Sequence, residues 1–387
     1  MRPLTILGVT GSIGRQTLEV AARLGLEVAA VAAYRPSTEL AEIAAHLPAA
    51  DLAVAGGTVA ERSEFDDLMR GRPVQYGPGA VTALAARPGQ VVVNGVVGAA
   101  GLEPTLAGLE AGNRVALANK ESLVAAGDLV MKTLQAGSGE LIPVDSEHSA
   151  LHQCLAGEHL DDVARILLTA SGGPFRGWSA DETAAVTPEQ ALAHPTWDMG
   201  GRITVDSATL INKGLEVIEA HHLFGVDFDR IHVVVHPGSI VHSAVEFVDG
   251  SLKAHLGYPD MRIPIQYALT YPRRAPAPGK RFELEGRQLT FEEVDRTTFP
   301  ALDLAYAAGR RGRGAPAALN AADEVAVAAF LDGRLPFPGI VDVVASVVEQ
   351  LDGWPASTLE EVLAADAEAR RLAAERIATD KSSRGVI

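Results

Sequence analysis

The sequence predicts an α/β fold with an N-terminal Rossmann-like parallel sheet, a central α+β domain and a C-terminal helical domain. Up to about residue 144, short apolar runs without polar alternation recur between helical stretches, which is typical of a parallel sheet covered on both faces. A glycine-rich turn follows the first run. Beyond about residue 299, apolar residues recur at helical spacing.

Composition restricts the classes of function. The chain has 387 residues, which predicts more than one domain, and a formal net charge of -16, which disfavours nucleic acid and anionic membranes as partners. Its single cysteine, Cys154, excludes an internal disulfide and a cysteine-cluster metal site. We expect a cytoplasmic protein, because neither a membrane-spanning run nor a signal-peptide pattern is present.

The first domain is predicted over residues 1–144. Repeated alternation of strand and helix indicates βαβ units and hence a Rossmann-like sheet. The predicted buried strands are Leu4 to Leu7, Val28 to Ala33, Ala53 to Ala55, Val91 to Val97, Val115 to Ala118 and Leu141 to Val144.

The central domain is predicted over residues 145–287, and a linker with the helical domain over 288–387. Strands are expected at Ile166 to Thr169, Ile231 to Val235, Ser243 to Val248 and Lys253 to Leu256, in an antiparallel or mixed sheet. The segment of about 171–207 is predicted to be a mobile lid loop, because long loops inside compact domains are usually functional or disordered. Helices are predicted at Leu319 to Leu331, Ile340 to Leu351 and Leu359 to Ile377.

The glycine-rich turn indicates a nucleotide site. Gly8-Val9-Thr10-Gly11-Ser12-Ile13-Gly14 lies between the first strand and a helix expected from about Arg15. Glycines let backbone N–H groups approach a pyrophosphate closely, and the helix N-terminus favours its charge. The second strand ends in Arg35 instead of an acid, which favours NADP(H); the alternative is a solvated surface arginine.

Two acidic residues at a predicted strand end indicate a metal site. In extended backbone, Asp145 and Glu147 would point to the same side and repel each other unless a cation lies between them. Oxygen ligands favour Mg²⁺ or Mn²⁺ over zinc. Alone, such a pair at an exposed strand end is more often solvated than bound to a metal.

A second polar segment strengthens the metal hypothesis. Ser207, Thr209, Asn212 and Lys213 provide a dense group of donors suited to a phosphate, and Glu216 could be a third metal ligand. The alternative is a helix cap followed by a surface helix.

Further polar and aromatic residues are candidates for substrate contacts. Lys120, in Asn119-Lys120-Glu121-Ser122, could neutralise an anion or an alkoxide, or belong to a helix cap. His194 and Trp197 lie in the predicted lid, where an exposed aromatic ring is suited to cover a bound ligand.

Taken together, these motifs resemble those of the 1-deoxy-D-xylulose 5-phosphate reductoisomerase family. The blocks appear in family order and cover the chain nearly end to end. They are Gly8 to Gly14, Val97 to Leu102, Leu117 to Val124, Pro143 to His148, Leu168 to Arg176, His194 to Met199, Val205 to Glu219 and Leu319 to Glu324.

The resemblance implies a homodimeric, NADPH-dependent oxidoreductase that rearranges and reduces a phosphorylated keto sugar with the help of a divalent metal. It implies metal binding by Asp145, Glu147 and Glu216. It implies NADPH contacts from Thr10, Gly11, Ser12, Ile13, Asn119, Glu121 and Gly200. It also implies that the central domain is catalytic, with substrate contacts from Ser171, His194, Ser207, Asn212 and Lys213, mostly at the phosphate. Ser146 and Lys120 would lie beside the reacting carbons, Glu147 and Glu216 would also contact the substrate, and Trp197 would cover it. The implied catalytic residues are Lys120, Asp145, Glu147 and Glu216.

The chain departs from the family pattern at two places. Tyr34-Arg35-Pro36 stands where the family often has Gly-Lys-Asn; Arg35 keeps the charge, but the 2′-phosphate contacts there are an open question. Gly238 stands where the family usually has Gln.

Two other functions compete with the reductoisomerase hypothesis. A phosphorylating semialdehyde dehydrogenase would need Cys154 as its nucleophile, although the apolar helical surroundings of Cys154 favour a buried inert thiol. A non-enzymatic NADP-binding protein would leave the three acids, the donor group and the lid without a purpose.

Overall fold

The computed structural model describes residues 2–193 and 200–384. Its strands are β1 (Leu4–Leu7), β2 (Val28–Ala33), β3 (Asp51–Val54), β4 (Val74–Tyr76), β5 (Val91–Asn94), β6 (Arg114–Leu117), β7 (Glu140–Pro143), β8 (Val163–Ala170), β9 (Ile231–Val235), β10 (Val241–Phe247) and β11 (Leu252–Leu256). The helices up to residue 155 are α1 (Ser12–Leu24), α2 (Thr38–His46), α3 (Val59–Met69), α4 (Pro78–Ala85), α5 (Leu102–Glu110), α6 (Glu121–Val124), α7 (Gly127–Ala136) and α8 (Ser146–Leu155). The later ones are α9 (Ala180–Ala184), α10 (Pro188–Ala191), α11 (Gly201–Thr209), α12 (Ile211–Phe224), α13 (Arg262–Thr270), α14 (Ala301–Arg311), α15 (Ala315–Leu331), α16 (Phe337–Gln350) and α17 (Leu359–Arg384).

The predicted parallel sheet is confirmed. Its order is β4-β3-β2-β1-β5-β6-β7, and every described pair of neighbours is parallel. All residues of β1 and β5 are buried, including Thr5 and Asn94, as expected for central strands of a parallel sheet that is covered on both faces. Strand order reverses beside β1, and ligands of such sheets bind at the carboxyl ends of the strands at that point.

Strand β4 was not predicted from the sequence. It has only three residues, Val74-Gln75-Tyr76, and it lies at the edge of the sheet with Gln75 exposed. An edge strand is covered less completely, so it lacks the continuous apolar run that identifies the other strands.

The second sheet is mixed, as one of the predicted possibilities. Its order is β11-β10-β8-β9, with β10 antiparallel to both neighbours and β8 parallel to β9. The predicted strands are confirmed, with β8 extended to Val163 and β10 beginning at Val241.

The C-terminal region is helical, as predicted. Helix α15 is buried along most of its length and packs against α16 and α17. It begins at Ala315, before the predicted Leu319, because Pro316 is well suited to a first helical turn. Within residues 2–193 and 200–384, no helix is long and apolar enough to cross a membrane.

The segment 171–207 is not a loop throughout. Its described part contains α9, α10 and the beginning of α11. Ser179 and Thr187 each form a capping box with the acidic or amide residue three positions on, which explains why short helices start there. Its role as a lid stays a prediction.

The chain divides into two compact units. The first comprises the chain up to Ser122, Val130–His152 and Asp260–Arg281, and the second comprises Leu123–Leu129, Gln153–Pro259 and the chain from Phe282 onward. The predicted division into three domains stays a prediction.

Candidate active site

The glycine-rich turn has no space for side chains at two of its positions. Gly8 has a φ of +79°, and a Cβ on it would lie 2.5 Å from the carbonyl oxygen of Gly95, which follows β5. A Cβ on Gly14 would lie 2.4 Å from the carbonyl oxygen of Gly8. Both glycines are therefore required for the close packing of β1, the turn and α1.

Helix α1 begins at Ser12, three residues earlier than predicted. Its N-cap is Gly11, and among the described residues no side chain caps it. The amides of the first turn can therefore bind an anion, and Thr10, Gly11, Ser12 and Ile13 all lie around that end. This structure fits the pyrophosphate of a dinucleotide.

Arg35 lies just beyond β2, as predicted, and is exposed. Its guanidinium carbon lies 5.8 Å from the centre of the Tyr34 ring, and the ring itself is 67% exposed. An exposed arginine at this strand end could pair with a 2′-phosphate. That contact stays a prediction.

Asn119 and Glu121, two predicted NADPH contacts, belong to a buried network. The Asn119 amide donates to the carbonyls of Val96 and Gly98, at 2.9 and 3.0 Å, and to Glu121 at 2.7 Å. Its oxygen accepts from the amide and the hydroxyl of Ser122, at 3.0 and 2.5 Å. These side chains fix the backbone beside the cofactor turn, so any NADPH contact that they make has to be compatible with these bonds.

The network continues into the helix that follows β5. The Thr105 and Ser122 hydroxyls lie 2.9 Å apart, and the Asn94 amide donates to Thr105 at 2.8 Å. Asn94 and Thr105 were not predicted as part of this network, since isolated polar residues in apolar segments form no recognisable motif. They connect the end of β5 to the loop after β6 that holds Lys120.

Lys120 and Asp145 form an ion pair with 2.6 Å between Nζ and Oδ2. Asp145 also accepts hydrogen bonds at Oδ1 from the amides of Glu147 and His148, at 3.0 and 3.2 Å, so it caps α8. The prediction that Asp145 and Glu147 share an extended strand end is therefore wrong. Ser146 and Glu147 lie in the first turn of α8, where the Ser146 hydroxyl donates to Glu147 at 2.8 Å.

His148 was also missed as part of this group. It is fully buried, and its Nδ1 lies 3.0 Å from Oδ1 of Asp145. A ring held at this carboxylate helps to fix its orientation.

Glu216 lies on α12, which is buried along most of its length, so the alternative of a surface helix is wrong. The Asn212 amide donates to Oε1 of Glu216 at 2.6 Å, and Lys213 forms a short ion pair with Oε2. Lys213 and Glu216 are themselves buried. Two predicted phosphate donors thus neutralise and orient the third predicted metal ligand.

Oxygen atoms of Asp145, Glu147 and Glu216 all lie within 4.8 Å of one another. The sequence predicted that these three side chains converge. Asp145 and Glu147 are brought together by the start of α8 at Ser146, however, and not by extended backbone. A set of carboxylate oxygens alone suits Mg²⁺ or Mn²⁺.

Ser207 lies on α11 beside the turn that contains Ser171. A Cβ on Gly173 would lie 2.6 Å from the Ser207 carbonyl oxygen, and Gly173 donates its amide to the Ser171 hydroxyl at 3.2 Å. Thr209 is buried and donates to the main chain of its own helix, which removes it from the donors proposed for a phosphate.

Gly200, the remaining predicted NADPH contact, is the N-cap of α11. His194 and Trp197 lie outside the described residues.

Cys154 is 3% exposed and lies on α8. A thiol buried in this way is unsuited to attack a substrate, which disfavours the dehydrogenase hypothesis.

Family comparisons cover most of the chain. Residues 4–127 match the model described as 1-deoxy-D-xylulose 5-phosphate reductoisomerase, and residues 141–224 and 256–372 match models of the C-terminal domains of the same enzyme. The enzyme of that name from Rhodococcus jostii is 51% identical over 376 residues, which are 96% of this chain and 93% of the relative. The chain belongs to the 1-deoxy-D-xylulose 5-phosphate reductoisomerase family.

Solved reductoisomerase structures have the same fold. The enzyme from Zymomonas mobilis in complex with NADPH has a TM-score of 0.90 at 41% identity and covers 97% of this chain and 99% of its own. A reductoisomerase in complex with NADPH, fosmidomycin and magnesium has a TM-score of 0.93 at 36% identity, covering 98% and 99%. The α/β architecture predicted from the sequence is thus that of the family.

Proposed function

We propose that this chain converts 1-deoxy-D-xylulose 5-phosphate to 2-C-methyl-D-erythritol 4-phosphate, using NADPH and a divalent metal. One observation carries the proposal: the chain belongs to the reductoisomerase family along nearly its whole length and keeps a group of three carboxylates suited to a divalent cation. The reaction would make it an NADP-dependent oxidoreductase.

Asp145, Glu147 and Glu216 would hold the metal. When bound, Mg²⁺ or Mn²⁺ supplies Lewis-acid chemistry that polarises the substrate carbonyl and orients a neighbouring hydroxyl. The protein fixes the orientation of one of these ligands: the first amides of α8 donate to Oδ1 of Asp145, and Lys120 donates to Oδ2.

NADPH would bind at the turn from Thr10 to Ile13, with Arg35 near its 2′-phosphate. When bound, it supplies the hydride that reduces the aldehyde formed by the rearrangement. The buried network around Asn119 holds the loop after β6 in one conformation, which limits the positions that the Lys120 ammonium can take.

Lys120 and Ser146 would act beside the reacting carbons. The Lys120 ammonium, which is held at Asp145 by the 2.6 Å ion pair, can donate hydrogen bonds to an oxyanion there. Ser171, His194, Ser207, Asn212 and Lys213 would bind the substrate, largely at its phosphate, with Trp197 covering it. Binding energy from the remote phosphate can then be used to orient the reacting end.

Three further features of the proposal come from the sequence and the family resemblance. The enzyme would be a homodimer, it would act in the cytoplasm, and a small anionic substrate rather than nucleic acid would be its partner. The formal charge of -16 agrees with the last of these.

The proposal can be tested by measuring the decrease in NADPH absorbance with the phosphorylated ketose as substrate. We expect turnover with added Mg²⁺ or Mn²⁺ and none with excess chelator. Full activity in the chelator would reject the metal, and no NADPH consumption under any of these conditions would reject the reaction.

A further inference from the structure

Helix α15 carries a polar patch that the proposed reaction does not use. Asn320, Asp323 and Glu324 share one face of a helix whose other buried residues are mostly alanine and larger apolar types. Asp323 is fully buried. Buried carboxylates are costly unless they are paired, so the patch needs partners on a neighbouring element.

Arg202, in the first turn of α11, is that partner. Its Nη1 lies 3.0 Å from Glu324, its Nη2 donates to Asn320 at 2.8 Å and lies 3.6 Å from Asp323. Its Nε lies 3.4 Å from Asp206, one turn further along α11. One planar guanidinium therefore connects the first two turns of α11 to α15, against which α11 packs.

Glu324 is held from the other side as well. Arg370 of α17 lies 2.9 Å from Glu324 and forms two hydrogen bonds with Asp366. Glu324 thus bridges two arginines, so α11 is tied through α15 to α17.

The helix fixed by Arg202 carries the predicted phosphate site. Ser207 directly follows Asp206, and Leu210 joins α11 to α12, which begins with Asn212 and Lys213 in its first turn. We call Ser207, Asn212 and Lys213 the phosphate cluster. A displacement of α11 would move the hydroxyl of Ser207 and the start of α12 together.

We propose that Arg202 is a positioning residue for substrate binding: through Glu324 and Asn320 it sets the place of α11, and thereby the geometry of the phosphate cluster. This inference rests on the proposed function, since the cluster is assigned to the phosphate there. Arg202 need not touch the substrate. An ångström of misplacement in such a cluster is enough to weaken binding or catalysis substantially.

Two substitutions test the proposal: Arg202→Lys keeps the charge but loses the planar set of donors, and Glu324→Gln keeps the shape but loses a charge. For both we expect the KM for the ketose phosphate to rise about tenfold, with kcat changed less than about threefold and the KM for NADPH unchanged. The matched control is Arg371→Lys, because Arg371 forms comparable ion pairs with Glu368 and Glu375 on the exposed face of α17.

A second measurement does not depend on turnover. Binding of inorganic phosphate by calorimetry should weaken in Arg202→Lys and Glu324→Gln by about the same factor as the KM rises. A purely structural role would lower the thermal midpoint of folded, active protein without changing the phosphate Kd or the KM, and that result would overturn the proposal. If Arg202→Lys fails to fold, Glu324→Gln decides by the same criteria.

Failure of the proposed function would look different. A wild-type chain that binds phosphate but does not consume NADPH would reject the reaction, while the comparison of phosphate Kd values among the variants would still decide the role of Arg202.

Discussion

The cofactor turn and the α11–α12 segment bind their predicted ligands by different means. The turn offers backbone amides, and its conformation follows from glycines within one short motif. The α11–α12 segment offers side chains, and it is held by partners on α15 that are more than 100 residues away in the sequence, as the Arg202 bonds to Asn320 and Glu324 show.

This difference determines how each region should respond to substitution. Steric changes should damage the turn, because its amides require one backbone path. Changes of charge should damage α11–α12, because its buried acids and bases balance one another. The following variants sharpen that comparison, beginning with the largest expected effect.

Glu216→Gln should lower kcat by about a thousandfold, since loss of a metal ligand removes several kcal/mol of Lewis-acid stabilisation. NADPH should bind as in the wild type, because α12 does not form the turn. A steady-state assay measures kcat, and a fluorescence titration measures the Kd for NADPH.

The control for that variant is Glu349→Gln, which changes an exposed glutamate on α16. If Glu216→Gln turned over at the wild-type rate with the chelator present, the assignment of the metal ligands would be contradicted.

Gly8→Ala should lower the free energy of unfolding by about 3 kcal/mol, because the new Cβ meets the Gly95 carbonyl at 2.5 Å and φ is +79°. NADPH affinity should fall at least tenfold. Gly25→Ala is a matched control: its φ is +64°, but among the described residues nothing lies within 4 Å of the added Cβ. Equal losses in both variants would show that backbone conformation alone, and not the close approach, matters at Gly8.

Asp323→Asn should change the pH dependence of stability. Burial raises the pKa of Asp323 to about 6. The positive charge of Arg202 and a hydrogen bond with Asp206 lower this pKa, and the negative charge of Glu324 raises it. The folded state therefore keeps this proton longer than the unfolded state, and stability is lost as the pH rises from about 4 to about 6.

The asparagine side chain would not titrate, so the variant should not show that loss. The free energy of unfolding of the variant minus that of the wild type should therefore be higher at pH 8 than at pH 4, by on the order of 1–3 kcal/mol. Urea unfolding at the two pH values measures the difference. Asp332→Asn, at an exposed position paired with Arg334, is the control. Parallel pH profiles for Asp323→Asn and the wild type would contradict the buried, proton-holding carboxyl.

Cys154→Ala should have the smallest effect. Turnover should stay within about twofold of the wild type, since the thiol is buried, with a loss of about 1 kcal/mol in stability from the smaller side chain. Loss of all activity in folded protein would revive the cysteine-nucleophile hypothesis.

The sequence was most informative where the physical cause is local. Strands β1, β2 and β9 have the predicted bounds, because their largely apolar sequences are themselves the reason for the strands. The turn from Gly8 to Gly14 was equally legible, since its glycines are needed by their own immediate neighbours.

The sequence was less informative where distant segments decide. Asp145 and Glu147 were identified as a pair, but the backbone that unites them is a helix cap, which competes with the extended conformation at the end of β7. The Arg202 contacts could not be predicted, because Asn320 and Glu324 are a helical turn apart and reach Arg202 only in the folded chain.

Leu210 gives the corner between α11 and α12 its stiffness. Its backbone lies in the left-handed region, at φ 64°, which costs a leucine about 1–2 kcal/mol. Leu210 is 4% exposed, so burial of its side chain offsets that cost. A glycine at this position would adopt many backbone conformations, whereas leucine restricts the backbone. The Ser207 hydroxyl before the corner and the Asn212 amide and Lys213 ammonium after it are therefore expected to move together.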